Sequence, residues 1–412
     1  MQVSQDWIAN IAVLNEILRK ETWYNTFWAK YAGFVDVSID DNGNKKYQPS
    51  GNPIEILKDN ITEGRDNILI PFLNRLTGDR VMGDTVLKGT GEELSMKWLR
   101  AYVNQWRKAV IKKSGNMSEL RSKIYKLYEE ALPQLRRYFA EMENQDVFQA
   151  FYEGVSPNLS AATADDGLAL DKRYHPNSYY HAGSGTITKM ATTEGQTPTA
   201  ANIDSAVSSA SAMDTDALKA LRVKCMNLRI PQMETKSGEK YWVLIVHPQT
   251  HSKLQNDSDY VNAQRYAYMG TSDVPEFSGV AGYYAGFAIF EDIVGIRGWD
   301  TTNDDFFGSD TSERIAPTDV TDNYCSLVVG NSAMGKAIST DLHFTYEIDD
   351  HENTIEIGGA VTNGYNRSDF AAEADAGETS GDLFDKGSTG GGVASGIAVT
   401  NQSSLIFMTD DA

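Results

Sequence analysis

The chain has 412 residues, 41% hydrophobic and 23% charged, which is the composition of a globular protein and excludes wholesale disorder. Its length allows two or three structural units with a sizeable core. The net charge of −20 excludes a broad grip on nucleic acid, which needs clustered Lys and Arg. Cys225 and Cys325 both sit in apolar stretches, so they read as reduced, buried thiols and not as a disulfide framework.

The opening segment carries Asp6, Glu16, Arg19 and Lys20 and lacks a basic leader, so it does not read as a signal peptide. No apolar run reaches the length of a membrane span. Residues 5–20 instead have the spacing of an amphipathic helix, with Trp7, Ile11, Leu14 and Leu18 on one stripe. The aromatic cluster Trp23, Tyr24, Phe27, Trp28, Tyr31 and Phe34 follows. It either docks on the chain's own core or, cut off by the turn-rich "DDNGNKKYQPSGNP", lies on a neighbour. "DNILIPFLNR" predicts a strand, and Pro71 suits an edge position.

Residues 76–95, "LTGDRVMGDTVLKGTGEELS", read as a long twisted hairpin arm. The return segment "MKWLRAYVNQWRKAVIKK" holds Lys97, Arg100, Arg107, Lys108, Lys112 and Lys113 with no acidic residue. It is either a solvated strand face or a strip complementary to an acidic surface, such as another copy of the chain. From Asn116 to about Phe151 runs the longest helical pattern, with a capping box at Asn116 and Glu119 and a proline, Pro133, that should kink it. A loop-rich region leads to a predicted helix from Thr215, a buried-type strand at 241–248, helical "DSDYVNAQRYAYMG", and strands in "YYAGFAIFEDI" and "YCSLVVG". Strand-like pieces return after residue 340, and an acidic Gly/Ser stretch precedes a last strand, "SSLIFMT".

Three motifs invite chemistry. In "LVVGNSAMGKAIS", Gly330, Gly335 and Lys336 match the G-x-x-x-x-G-K of a phosphate loop, but Ala337 stands where a magnesium-binding hydroxyl is needed. The plainer reading is a Gly-bounded turn opening a short Ala-rich helix. His247 and His251 have the spacing of a helical metal pair, yet Pro248 should break the helix there, which favours packing or capping roles. "DDNGNK" resembles a calcium loop only loosely, because Pro49 occupies the bidentate position, and reads as a turn. No catalytic residue, cofactor or metal ligand is assigned.

Taken in order, "GRDNILIPFLNRLTGDRVMGDTVLKGTGEELS", the basic-aromatic return strand and "GNMSELRSKIYKLYEEALPQLRRYFAEMENQDVFQAFYEG" resemble the major capsid proteins of tailed phages. More narrowly they are similar to the podophage coat family typified by coliphage N-four and akin to crAss-like phage coats. "RYHPNSYY", "YWVLIVHPQTHSKLQNDSDYVNAQRYAYM", "FSGVAGYYAGFAIFED" and "LVVGNSAMGKA" extend the likeness. Lys88 and Gly91 depart from the family pattern, as does the acidic Gly/Ser stretch.

The resemblance implies an α+β, Hong Kong 97-type coat fold. Its N-arm would span residues 1–65, its extended loop 66–115, and its peripheral domain 116–212 with a spine helix at 116–151. The axial domain would span 213–340, and 341–412 would return to the peripheral domain with the C-terminal strands. The implied function is a non-enzymatic coat protein whose hexamers and pentamers close an icosahedral shell around double-stranded DNA. Its partners would be other copies of itself and portal, scaffolding and, where used, decoration proteins, with no membrane. It would be assembled in the host cytoplasm and reside in the virion. Inter-subunit contacts are assigned to Arg80, Asp84, Lys88, Glu92, Glu93, Arg100, Arg107 and Lys108 of the loop and return strand, and to Trp7, Trp23, Phe27 and Trp28 of the arm. The alternatives are a nucleotide-binding enzyme built on Gly335 and Lys336, or a polymeric surface or tail protein.

Overall fold

A computed structural model describes residues 27–39, 45–48, 50–58, 67–73, 80–83, 96–113, 127–159, 175–181, 186–190, 212–235, 238–268, 280–293, 295–300, 305–306, 323–349, 354–371, 399–401 and 403–410. After a 3-10 turn at Phe27–Tyr31, the chain forms β1 (Ala32–Phe34), β2 (Asp36–Ile39), β3 (Lys45–Gln48), β4 (Ile54–Leu57), β5 (Asn67–Leu73), β6 (Met96–Tyr102) and β7 (Asn104–Lys113). Helix α1 (Leu127–Glu153) follows, then β8 (Ser178–His181), β9 (Ile187–Lys189), α2 (Thr215–Asn227), β10 (Met233–Glu234) and β11 (Lys240–Val246). Next come α3 (Pro248–Gln255), α4 (Ser258–Tyr268), β12 (Gly282–Tyr284), β13 (Phe287–Glu291), β14 (Arg297–Asp300), β15 (Asp305–Phe306) and β16 (Asn323–Val329). The chain finishes with β17 (Met334–Asp349), β18 (Thr354–Arg367), β19 (Asp369–Ala371), β20 (Val399–Asn401) and β21 (Ser404–Asp410).

Two main sheets organise these strands. One has the order β1-β4-β17-β18-β7; the main path of the other runs β12-β13-β11-β16-β21-β8-β9. Strand β11 shows why its sequence is apolar at every position from Tyr241 to Val246. Tyr241, Val243 and Ile245 face a core shared with Phe148, Phe151 and Met334, while Trp242, Leu244 and Val246 face the core under α2. Both faces are covered, so period-2 alternation disappears into a continuous run.

Helix α2 begins at Thr215, as its pattern predicts, with Asp214 as the N-cap: its Oδ1 accepts from the Ala217 amide at 2.6 Å. Both thiols are buried and free. Burial pushes Cys225 up to about 12 and raises Cys325 as well, so neither is reactive.

Helix α1 realises the long helical pattern and runs to Glu153, with Pro133 inside it. The capping box at Asn116 and Glu119 lies outside the described residues. The first half of α1 packs Leu135 and Phe139 against Leu342, Ile357 and Val361 of the five-stranded sheet. Its last turns carry Val147, Phe148, Phe151 and Tyr152 into the core that touches both sheets.

One expectation changes. The basic return segment is two strands: among the described residues β6 pairs with β5 in a two-stranded sheet, and β7 pairs with β18. At their junction Tyr102, the last residue of β6, and Val103 are buried, and the Tyr102 amide donates to Asn366 Oδ1 at 3.1 Å. Burial of this corner redirects the chain from one sheet to the other. The final strand β21, expected in the segment that returns to the peripheral domain, lies between β16 and β8. Its alternation places Leu405 and Phe407 under α2, and Ile406 and Met408 in the shared core, so burial on both faces holds it there.

Candidate functional site

Among the described residues, strand β7 is an edge of the five-stranded sheet. Trp106 and Val110 turn towards α1, where Trp106 stacks on Phe139 with ring centroids 4.6 Å apart. Arg107, Ala109 and Ile111 are exposed, Ile111 by 52%. Lys108 is exposed too, its Nζ 5.3 Å from the centre of the Tyr138 ring. An open strand edge with cations and an isolated isoleucine is a surface that another chain can cover.

Of the remaining loop residues, Arg80 is exposed. Arg100 sits opposite Leu69 in the β5–β6 register. Asp84, Lys88, Glu92, Glu93, Trp7 and Trp23 lie outside the described residues.

Trp28 is a correction. It is fully buried, packed on Phe148 at 5.1 Å and Phe151 at 5.2 Å, so it fills its own chain's core and presents nothing to a neighbour. Phe27 is half-buried and edges onto Phe290 at 5.5 Å, which places it on the same core. The own-core alternative therefore holds for Trp28, while Phe27 gives one side to that core. Hydrophobic burial of two large aromatic rings outweighs the isolation implied by the polar loop that follows.

The glycine-lysine motif is not a phosphate cradle. The amides of Gly330, Asn331, Ser332, Ala333 and Met334 all donate to protein carbonyls, those of Ser403, Pro231, Asn52 and Pro53. A phosphate loop needs such N–H groups unclaimed. The turn opens strand β17, not the expected Ala-rich helix. Gly330 is required by close approach: a Cβ there would lie 2.4 Å from the Pro231 carbonyl oxygen. Lys336 is buried at 3% exposure, with its Nζ 3.6 Å from Glu143 Oε1. The enzyme alternative built on Gly335 and Lys336 loses its site.

The histidine pair also resolves into structure. Pro248 does not break a helix; it opens α3 at the first turn, where its missing N–H costs nothing. His247 is the N-cap and stacks on Tyr324 with centroids 4.0 Å apart. His251 is buried, bonded through Nδ1 to Glu291 and, at 3.3 Å through Nε2, to Tyr260.

A buried polar joint that the motifs did not announce ties the two sheets together. Arg367, at the end of β18, donates from Nη1 to the carbonyls of Phe151 at 2.5 Å and Tyr152 at 3.2 Å, closing the C-terminus of α1. Its Nη2 and Nε meet Asp369 at 2.7 and 2.9 Å, a forked pair with both side chains wholly buried. Asn401 donates to Asp369 at 2.9 Å, and the Asn401 carbonyl accepts from Asn177 at 2.6 Å. His175 Nε2 lies 2.8 Å from Ser404 Oγ, and its Nδ1 accepts the Asn177 amide at 3.0 Å. The ring proton is thus on Nε2, so His175 donates to the hydroxyl and cannot act as its base. Burial, reinforced by the Arg367 charge, holds the His175 pKa well below its ordinary value and keeps the ring neutral. The sequence signal was present in "RYHPNS" and "YNRSDF", but polar residues in loops look alike whether buried or not.

A long helix lies on one sheet, and a shared core joins that sheet to a second, giving a mixed α/β architecture. Its surfaces suit assembly, and its buried polar clusters are internal ties. Solved structures agree on the fold. The capsid of Ralstonia phage GP4 matches with a TM-score of 0.58 and 13% identity, covering 93% of this chain and 91% of that one. The Cyanophage Pam1 capsid matches at 0.59 and 16%, covering 88% and 89%. The acidic stable capsid of Helicobacter pylori bacteriophage KHP30 matches at 0.57 and 11%, covering 94% and 92%. No curated protein sequence matches. The phage capsid protein family model matches residues 23–384, and the chain belongs to that family. It is a structural protein of the tailed-phage virion, a major capsid protein.

Proposed function

We propose that copies of this chain assemble into hexamers and pentamers of an icosahedral shell that encloses double-stranded DNA. The observation that carries this reading is the family match over residues 23–384, most of the chain. The N-arm, extended loop, peripheral and axial division at residues 65, 115, 212 and 340 belongs to the proposal, with 341–412 returning to the peripheral domain. So do membership of the N-four-type and crAss-like branch, assembly in the host cytoplasm, and the portal, scaffolding and decoration partners.

Shell building proceeds by overlap. The 66–115 loop of one subunit lies across the next, and the basic strip with Arg100 and Arg107 meets acidic groups there, as the −20 charge of each chain favours. Asp84, Lys88, Glu92 and Glu93 accompany Arg80 on that arm, and Trp7 and Trp23 belong to the N-arm contact. The test is electron microscopy of the purified protein carrying Arg100→Glu and Arg107→Glu. The subunit should stay folded, because Arg107 is exposed, and closed shells should be lost. Normal shells from the double variant would remove this contact. Closed shells of the wild type also separate a coat from a tail or surface polymer. A covalent link between subunits through Lys88 would appear as ladders above the monomer on a denaturing gel.

A further inference from the structure

Strands β17 and β18 pair antiparallel with Lys336 opposite Tyr365 and Ile338 opposite Asn363. Lys336 and Asn363 are therefore diagonal neighbours on one face, a spacing that long side chains bridge. Helix α1 covers that face and lowers Glu143 onto it. Asn363 is 1% exposed and Glu143 8%.

The Asn363 amide is held at both ends. Its Oδ1 accepts from Trp106 Nε1 at 3.1 Å, and its Nδ2 donates to Glu143 Oε1 at 3.2 Å. An indole N–H can only donate and a carboxylate accepts, so these partners fix which end is oxygen and which is nitrogen. The same Oε1 lies 3.6 Å from Lys336 Nζ. The lysine head sits 5.0 Å from the centre of the Tyr365 ring, and the stacked Trp106 and Phe139 rings roof the neighbouring sheet face. Burial lowers the Lys336 pKa, against the opposing pull of Glu143. A buried site, an amine, a carboxamide whose oxygen accepts an indole N–H, and a carboxylate oxygen 3.2 Å from one nitrogen and 3.6 Å from the other are the parts of an acyl transfer.

We propose that Lys336 and Asn363 join in an intramolecular isopeptide bond, with Glu143 as the proton carrier. The Lys336 ammonium gives a proton to the Glu143 carboxylate, and the freed amine attacks Asn363 Cγ. The carbonyl electron pair moves onto Oδ1, where the Trp106 N–H holds the negative charge. Glu143 passes its proton to Nδ2 and takes one from Nζ. The Cγ–Nδ2 bond then breaks as the carbonyl re-forms, and ammonia departs with the proton that Glu143 holds. One ammonium and one carboxamide become one secondary amide and one ammonium ion; Glu143 ends as it began, and nothing is oxidised or reduced. The bond clips β17 to β18 beneath α1. It lies within one chain, so it is separate from any link between subunits and does not depend on the shell reading.

Intact mass spectrometry of the folded, purified full chain under denaturing conditions reads it directly. The wild type should weigh about 17 Da less than its sequence, the mass of one ammonia, and a tryptic digest should yield a branched peptide joining residues 336 and 363. Glu143→Gln should restore the full sequence mass and linear peptides while circular dichroism stays native. A wild type at full mass with Lys336 and Asn363 in linear peptides overturns the proposal, whatever the variant does. So does an ammonia loss mapped elsewhere. A retained branch in folded Glu143→Gln would overturn the role given to Glu143.

Discussion

Replacing Asp369 with Ala should unfold the chain far more readily than its small size suggests. Asp369 and Arg367 are both wholly buried, and removing the carboxylate strands a guanidinium in the core. Two forked contacts at 2.7 and 2.9 Å disappear, and Asn401 Nδ2 loses its acceptor. Breaking a buried pair from one side costs about 3–5 kcal/mol. With a urea slope on the order of 3 kcal/mol per M, the midpoint should fall by roughly 1–2 M. The assay is urea unfolding of unassembled subunit followed by tryptophan fluorescence, since Trp28 and Trp242 lie in the cores the joint supports. The exposed pair Arg137–Glu141 on α1 is the control: Glu141→Ala should change stability by less than about 0.5 kcal/mol. High salt should weaken the exposed pair's contribution and spare the buried one. A loss below about 1 kcal/mol for Asp369→Ala would refute the view that this joint holds the two sheets together.

The neutral, buried His175 makes stability depend on pH. Its folded pKa is lowered, so below about pH 6.5 the unfolded ring takes up a proton that the folded ring refuses, and stability falls by about 1.4 kcal/mol per pH unit. Above that pH this contribution is flat; His175→Gln should remove that part of the slope in urea midpoints between pH 7 and pH 5. Trp28→Ala should cost about 3–5 kcal/mol in the unassembled subunit, measured by the same unfolding curve, because it empties a site in the chain's own core. Gly364→Ala places a Cβ 2.0 Å from the Tyr102 carbonyl oxygen, where backbone must yield; about 1–3 kcal/mol should be lost, read as a lowered Tm.

Much of this fold could be read from local pattern. Helix α2 starts at Thr215 and the β11 strand fills the apolar run before His247, because capping and uninterrupted burial write themselves into neighbouring residues. The order of motifs led to the coat family, which the match over residues 23–384 shows. The candidate site was less legible. Arg107 and Lys108 are exposed on an edge strand, as a basic strip would be. Trp28 looked equally suited to a neighbour and to its own core, since an aromatic cluster carries no mark of what covers it.

Composition and local spacing gave most of the elements and the acidic balance, because helix capping, strand burial and turn chemistry act within a few residues; the kind of protein came from the resemblance of the ordered motifs to a coat family. Which lysine is buried was decided only by the tertiary structure. Lys336 in "MGKAIS" looks like a loop cation, yet the pairing of β17 with β18 and the approach of α1 place it beside Glu143 and Asn363. In the sequence Glu143 is 193 positions from Lys336, and Phe151 is 216 from Arg367. Burial and hydrogen-bond partnership depend on groups that only the folded chain brings within reach, and so they leave no local trace.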